Sequence, residues 1–126
     1  MNPAVYDAGA LVAVDRNERT MWADHRVRLE SGIVPLAPAP VVAQVSRSGR
    51  QAQLRRFLRG CDVVAFDEAD AHSAGRLLGR SGTSDVVDAA VVVLAMAHGA
   101  EIVTDDREDI ARLLATARSS LPITDA

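Results

Sequence analysis

The sequence predicts an α/β fold of three layers, α/β/α, around a central and mostly parallel sheet. Three observations carry this. Short apolar runs alternate with segments of helical periodicity, and strands that alternate with helices form a parallel sheet covered on both faces. Apolar residues make up 48% of the chain but aromatics only 3%. The core must therefore be Val, Leu, Ile and Ala, which suits buried strands and the helices packed on them. The length of 126 residues suits one domain over residues 1–126.

The elements follow in chain order. Ala4–Tyr6 reads as a short buried strand ending at Asp7, with a helix over Gly9–Val14. Glu18–Leu29 is a second helix, with Trp22, His25 and Leu29 at helical spacing. Ile33–Leu36 reads as a strand that the Pro-rich run Ala37–Pro40 ends, and Pro40 can start a helix from Val41. That helix breaks near Ser48-Gly49. Another runs over Gln51–Leu58 and Gly60 closes it. Val63–Phe66 is a strand, Asp67–Leu78 a helix with an acidic first turn, and Gly79–Ser84 a loop. Thr83 or Ser84 can cap the helix Asp85–His98, which Gly99 stops. Glu101–Thr104 is a strand, Arg107–Leu114 a helix, and Pro122–Thr124 a last short strand.

Composition excludes several classes. Cys61 is the only cysteine, so neither an internal disulfide nor a Cys-based zinc site can form. The N-terminus lacks a signal-peptide pattern and no apolar run reaches membrane-spanning length, so a cytoplasmic protein is expected. The formal charge is −3, but its distribution says more. All fourteen basic residues are Arg. Arg47, Arg50, Arg55, Arg56 and Arg59 fall in an acid-free stretch, Ser31–Cys61, whereas Asp85–Asp109 holds seven acids. One region is built to meet anions and another to meet cations. Tyr6, Trp22, Phe57 and Phe66 are the only aromatic rings besides histidine. There is no nucleophile elbow and no Walker loop, and His25, His72 and His98 lack metal-ligand spacing.

The segment "DVVDAAVVVLAMA", Asp85–Ala97, is apolar on every side apart from its two aspartates, which predicts a buried helix. A buried, unpaired carboxylate costs on the order of several kcal/mol or takes up a proton. Asp88 therefore needs a cation, a backbone partner or a proton. Asp85, three residues earlier on the same face, either supports the helix dipole from the first turn or joins the site. Asp7 and Asp106 each follow a strand, and ligands of open α/β sheets bind beyond the strands' carboxyl ends. Asp88 opens a helix at that same edge. Three acids from distant segments thus converge on one pocket. Crowded carboxylates raise one another's pKa unless a cation neutralises them. Oxygen-only ligands favour Mg²⁺ or Mn²⁺.

The strand-Asp "VYDAGAL", the block "GRSGTSDVVDAA" and the run "DAAVVVLAMAHGAEIVTDD" from Asp88 to Asp106 together resemble the PIN-domain ribonucleases. Within them they resemble the VapC-type toxins of bacterial toxin–antitoxin pairs. The resemblance implies a PIN-like fold and a metal-dependent endoribonuclease. It makes Asp7, Asp88 and Asp106 the catalytic and metal-binding acids, with Asp85 a further candidate ligand and Asp105 a neighbour of the site. It also implies an RNA substrate such as tRNA or rRNA, a homodimer, and a cognate antitoxin that inserts a peptide near the acids, with Leu11–Leu29 as an apolar groove. Arg47, Arg55, Arg56 and Arg59 would hold the RNA backbone, unless they form only a solvated face. Thr104 either bonds a carboxylate or simply ends its strand.

One departure stands out. Where the family places a Glu in a "VVAE"-like context, this chain reads "VVAQV", with Gln44. Gln offers a neutral carbonyl oxygen but no charge. Gln44 motivates a rival reading: a catalytically weakened or inactive PIN-like module that binds RNA or protein. A response-regulator receiver, the other acidic-pocket fold considered, needs a Lys that the chain lacks.

Overall fold

The computed structural model describes residues 2–126. Five parallel strands form one sheet in the order β3-β2-β1-β4-β5. They are β1 (Ala4–Tyr6), β2 (Leu36–Pro38), β3 (Asp62–Val64), β4 (Glu101–Thr104) and β5 (Ile123–Asp125). Seven helices among the described residues cover the two faces: α1 (Ala8–Asp15), α2 (Arg19–Glu30), α3 (Ala39–Val45), α4 (Ala52–Leu58), α5 (Glu68–Ser81), α6 (Val86–His98) and α7 (Arg107–Thr116). Helices α1, α2 and α4 pack together on one side; α5, α6 and α7 pack together on the other, and α3 touches both α1 and α6. This is the three-layer parallel architecture expected. No helix among the described residues is long and apolar enough to cross a membrane.

The strand order fixes where a ligand can sit. From β1 the chain steps outward through β2 to β3, then returns to the opposite side of β1 for β4 and β5. The direction of winding reverses between β1 and β4. Open α/β sheets bind ligands in the crevice outside the carboxyl ends of the strands at such a switch point. Ala4, Val5 and Tyr6 pair with Glu101, Ile102 and Val103. Asp7 and the residues after Thr104 therefore leave the sheet side by side.

The core is aliphatic, with Val5, Leu11, Val14, Val41, Val91, Val92, Ile102, Val103 and Ile110 almost wholly buried. Two of the scarce aromatics complete it. Tyr6 from β1 and Phe57 from α4 are fully buried, and His25 of α2 stacks on Phe57 at 3.8 Å while its Nδ1 bonds the Tyr6 hydroxyl at 2.9 Å. Burial pushes the His25 imidazole down to about 4, helped by the Arg28 charge.

Several element boundaries differ from the sequence expectation. Strand β2 is Leu36–Pro38 rather than Ile33–Leu36, so the prolines do not end it where expected. A proline cannot donate to the ladder but keeps its carbonyl, and the Pro35 carbonyl accepts from the Asp62 amide at 2.9 Å. Strand β3 is Asp62–Val64, not Val63–Phe66, because α3 starts at Ala39 and leaves residues beyond Val64 without a partner. Helix α5 continues to Ser81 instead of stopping at Leu78. Its left-handed terminal residue is Gly82, at φ +68°, which glycine adopts without penalty. Helix α6 is buried along Ala89–Val92 and at Ala95, but Val86, Met96, Ala97 and His98 are exposed. It is thus not buried on every side.

Between α3 and α4, the Gln51 side chain accepts from the Arg47 and Ser48 amides. Its amide nitrogen donates to the Val45 carbonyl and the Asp15 carboxylate. This ties the turn to α1.

Candidate metal centre

Asp7 caps α1. Its Oδ1 accepts from the Ala10 amide at 2.9 Å, and its Oδ2 accepts from the Thr104 hydroxyl. Thr104, the last residue of β4, is fully buried. Its Oγ1 in turn accepts from the Asp106 amide at 2.8 Å. One hydroxyl thus joins the carboxyl ends of β1 and β4, so Thr104 both ends its strand and bonds a carboxylate. Asp7 is 3% exposed. Burial pushes its carboxyl up to about 6, against the pull of its two hydrogen bonds and with help from the Asp105 and Asp106 charges.

Asp88 lies in the first turn of α6 and is partly buried. Asp85 precedes the helix as its cap, accepting from the Asp88 amide at 3.0 Å. Neither Thr83 nor Ser84 has that role, because the Thr83 hydroxyl pairs with Ser81 at 2.7 Å. Burial first, and then the charges of Asp85, Asp106, Asp7 and Asp109, push the Asp88 carboxyl up to about 7.

Asp106 occupies the capping position of α7, yet its side chain caps nothing. It is free to approach Asp88 and Asp109, and one carboxylate oxygen from each of the three lies within 4.8 Å of the others. Burial and the neighbouring Asp109 carboxyl hold the Asp106 carboxyl above its usual range.

Asp109 was not singled out by sequence. Its signal was present: Asp106 and Asp109 repeat the three-residue spacing of Asp85 and Asp88 and share one helix face. An acid in a first turn is so common a dipole partner that the repeat carried no weight by itself. Asp7 stands outside the close trio, though its charge reaches Asp88. Asp105 turns away, toward Gly9, where an added Cβ would stand 1.8 Å from the carboxylate oxygen.

Beside the trio is a cavity of about 250 Å³ lined by Thr83, Ser84, Asp85, Asp88, Asp109, Arg112 and Leu113. Gln44 is exposed on α3 and lines none of it. The same holds for Arg47, Arg55, Arg56 and Arg59, all exposed. The Arg47 guanidinium donates to the Ala43 and Ser46 carbonyls, and that of Arg56 lies 4.6 Å from the Trp22 ring centre. The apolar groove expected over Leu11–Leu29 is largely consumed by the core, since Leu11, Val14 and Met21 are buried. At the surface the region leaves Val27 and Leu29 exposed and contributes to a basic recess lined by Asn17, Arg19, Trp22, Ala23, Arg26 and Arg56.

The donor set fits a hard divalent cation. It is all oxygen, it gathers carboxylates from two elements, and burial together with neighbouring charge raises the Asp88 and Asp106 carboxyls, a penalty that a cation would relieve. The PIN domain family matches residues 5–114, a span that contains every acid of the site. No curated protein matches the chain. Among solved structures, VapBC2 from Rickettsia felis bound to a promoter DNA fragment is similar over 98% of both chains, at 17% identity and TM-score 0.71. DNA-bound VapBC from Salmonella typhimurium is similar over 99% of this chain and 98% of that one, at 14% identity and TM-score 0.72. FitAB bound to an IR36 DNA fragment covers 97% and 94%, at 12% identity and TM-score 0.61. These three are likenesses of fold. The family match runs through the ends of β1 and β4 and the starts of α6 and α7 that build the acidic site, and the chain belongs to the PIN-domain family.

Proposed function

We propose that the chain is a metal-dependent endoribonuclease and the toxin of a bacterial toxin–antitoxin pair. The observation that carries this is the meeting of Asp88, Asp106 and Asp109 within 4.8 Å at the switch point of the sheet. Membership of the PIN family supports a nuclease. The similar VapBC and FitAB structures are bound to DNA, VapBC2 to a fragment from its promoter, which supports an antitoxin as partner. RNA as substrate and self-association as a homodimer belong to the same proposal.

Asp88, Asp106 and Asp109 would hold Mg²⁺ or Mn²⁺, with Asp7 and Asp85 adding negative charge beside them. A cation there supplies an activated water and offsets charge on the scissile phosphate. The chain's own residues do the positioning. Thr104 fixes the Asp7 carboxylate and the Asp106 backbone relative to each other. Asp85 anchors the first turn of α6 and so the Cα of Asp88. Incubation of the purified protein with Mn²⁺ and structured RNA tests the proposal. Cleavage is expected, lost in Asp7→Asn and in Asp88→Asn. Cleavage by those variants at the wild-type rate refutes the site.

The rival reading, a weakened PIN-like binding module, draws on Gln44. That residue is exposed and outside the cavity, so it departs from the family's pattern without removing a charge from the trio. Asp109 supplies a third carboxylate there. Binding of RNA without cleavage at any Mn²⁺ concentration would favour the module.

A further inference from the structure

We infer that Arg112 grips the RNA phosphate next to the scissile one and so sets how the strand enters the site. This rests on the nuclease reading above. Arg112 sits on α7, three residues after Asp109 and on the same helix face. It shares the cavity of about 250 Å³ with Asp85, Asp88 and Asp109, and it is the one basic residue that lines it.

Its pairing is the informative part. Three carboxylates line the same cavity, yet among the described residues the Arg112 guanidinium makes neither a salt bridge nor a hydrogen bond. Beyond the backbone bonds of the helix, its carbonyl also accepts from the Thr116 hydroxyl. Up to five N–H donors in a planar fork therefore remain for a ligand. The helix beneath is firmly seated, because Ile110, Leu113 and Leu114 are buried. The free group is thus carried by a fixed element.

Charge says what that ligand is. A strand of RNA approaching Asp85, Asp88, Asp106 and Asp109 meets a field of its own sign. A cation held by the trio offsets this at one phosphate only. The adjacent phosphate, displaced along the cavity, needs a second cation, and Arg112 is the one present there. A guanidinium matches a phosphate with two parallel hydrogen bonds, which a Lys ammonium does not reproduce. Ser84, which also lines the cavity, carries a neutral hydroxyl donor. The Arg residues of the acid-free stretch, in the α3–α4 turn, on α4 and at its end, line none of this cavity, so the grip on the strand beside the acids belongs to α7.

The test compares wild type with Arg112→Gln, Arg112→Lys and, as a surface control on α2, Arg19→Gln. Steady-state cleavage of a fluorescein-labelled single-stranded RNA is followed in Mn²⁺, and binding of the same RNA by anisotropy in EDTA across a salt series. For Arg112→Gln, KM should rise about 5–10-fold with kcat within about 2-fold, as loss of uniform binding requires. The salt slope should fall by about 0.7, one phosphate contact on a single strand. Arg112→Lys should keep the salt slope but recover only part of the affinity, and Arg19→Gln should match wild type. The rise in Tm on adding Mn²⁺ should be the same in all four proteins. Wild-type KM and salt slope in Arg112→Gln overturn the inference, as does a fall in kcat equal to that in kcat/KM. If wild type neither binds nor cleaves RNA, the nuclease reading falls as well; if wild type cleaves and Arg112→Gln is indistinguishable, only this inference falls.

Discussion

Replacing Asp88 with Asn removes one charge from a place where five carboxyls act on one another. In the folded protein the Asp88 carboxyl titrates at about 7 rather than at its ordinary 3.8. The folded state therefore holds its proton more tightly than the unfolded chain does. The stabilisation this gives is full below pH 3.8 and is lost as pH rises through 7. At pH 8 without metal, the displacement from 3.8 to about 7 caps the cost of ionised Asp88 near 4 kcal/mol, at about 1.4 kcal/mol for each pH unit. Asp88 is only partly buried, and solvent screening brings the cost to about 1–2 kcal/mol. For a chain of this size that is about 4–8 °C in Tm. In EDTA at pH 8, Asp88→Asn should therefore melt about 4–8 °C above wild type by differential scanning fluorimetry. At pH 4.5 the difference should shrink to about a quarter of that, because wild-type Asp88 is then protonated. Adding Mg²⁺ at pH 8 should stabilise wild type and leave the variant nearly unchanged. A variant less stable than wild type in EDTA at pH 8, or a gain that ignores pH, would show that burial and neighbouring charge do not penalise the ionised Asp88 carboxyl.

Other outcomes follow from the same geometry. Thr104→Val leaves the Asp7 Oδ2 and the Asp106 amide unpaired in a buried place, which should cost about 1–3 kcal/mol in urea unfolding. Thr104→Ser should recover most of it. Asp109→Asn should weaken Mn²⁺ binding at least about 10-fold by calorimetric titration, with secondary structure unchanged by circular dichroism. His25 titrates at about 4 in the folded protein against its ordinary 6.5. Its contribution is full above pH 6.5 and is lost as pH falls toward 4, by up to about 3 kcal/mol. His25→Gln should flatten the fall in urea midpoint over that window; an unchanged slope would place the loss elsewhere.

What sequence could reach here followed from how local each signal was. Asp7 and Asp106 were legible because each ends a short apolar strand, and parallel strands deliver their ends to one edge. Asp88 was legible because its helix is apolar around it. Asp109 was not, since its neighbour Asp106 gives up the cap and reaches into the site only through the tertiary fold. The role of Asp85 as a cap was similarly hidden, because Thr83 and Ser84 had equal claim by residue type. The exchange of a hydroxyl bond between Ser81 and Thr83 decided it. Strand β2 departs from expectation because proline commonly stops a strand, whereas a parallel ladder can still use its carbonyl. The spent guanidinium of Arg47 depends on the turn that Gln51 organises, which no local pattern reveals.

The Thr104 hydroxyl has a single hydrogen, and the charge of Asp7 decides where it points. The Asp106 amide can only donate, so the Thr104 oxygen receives there with one lone pair, while an ionised Asp7, which can only accept, takes the hydrogen. The oxygen keeps a second lone pair, so the polarity of the Thr104–Asp7 link depends on pH. When Asp7 takes up a proton, the Ala10 bond cannot turn around, because that amide is an obligate donor, whereas the Thr104 bond can. The proton can therefore settle on the oxygen that faces Thr104 or on a lone pair that the donors leave free. A threonine that looks like the end of a strand thus works as a reversible partner, donating to Asp7 when it is charged and able to receive from it when it is not.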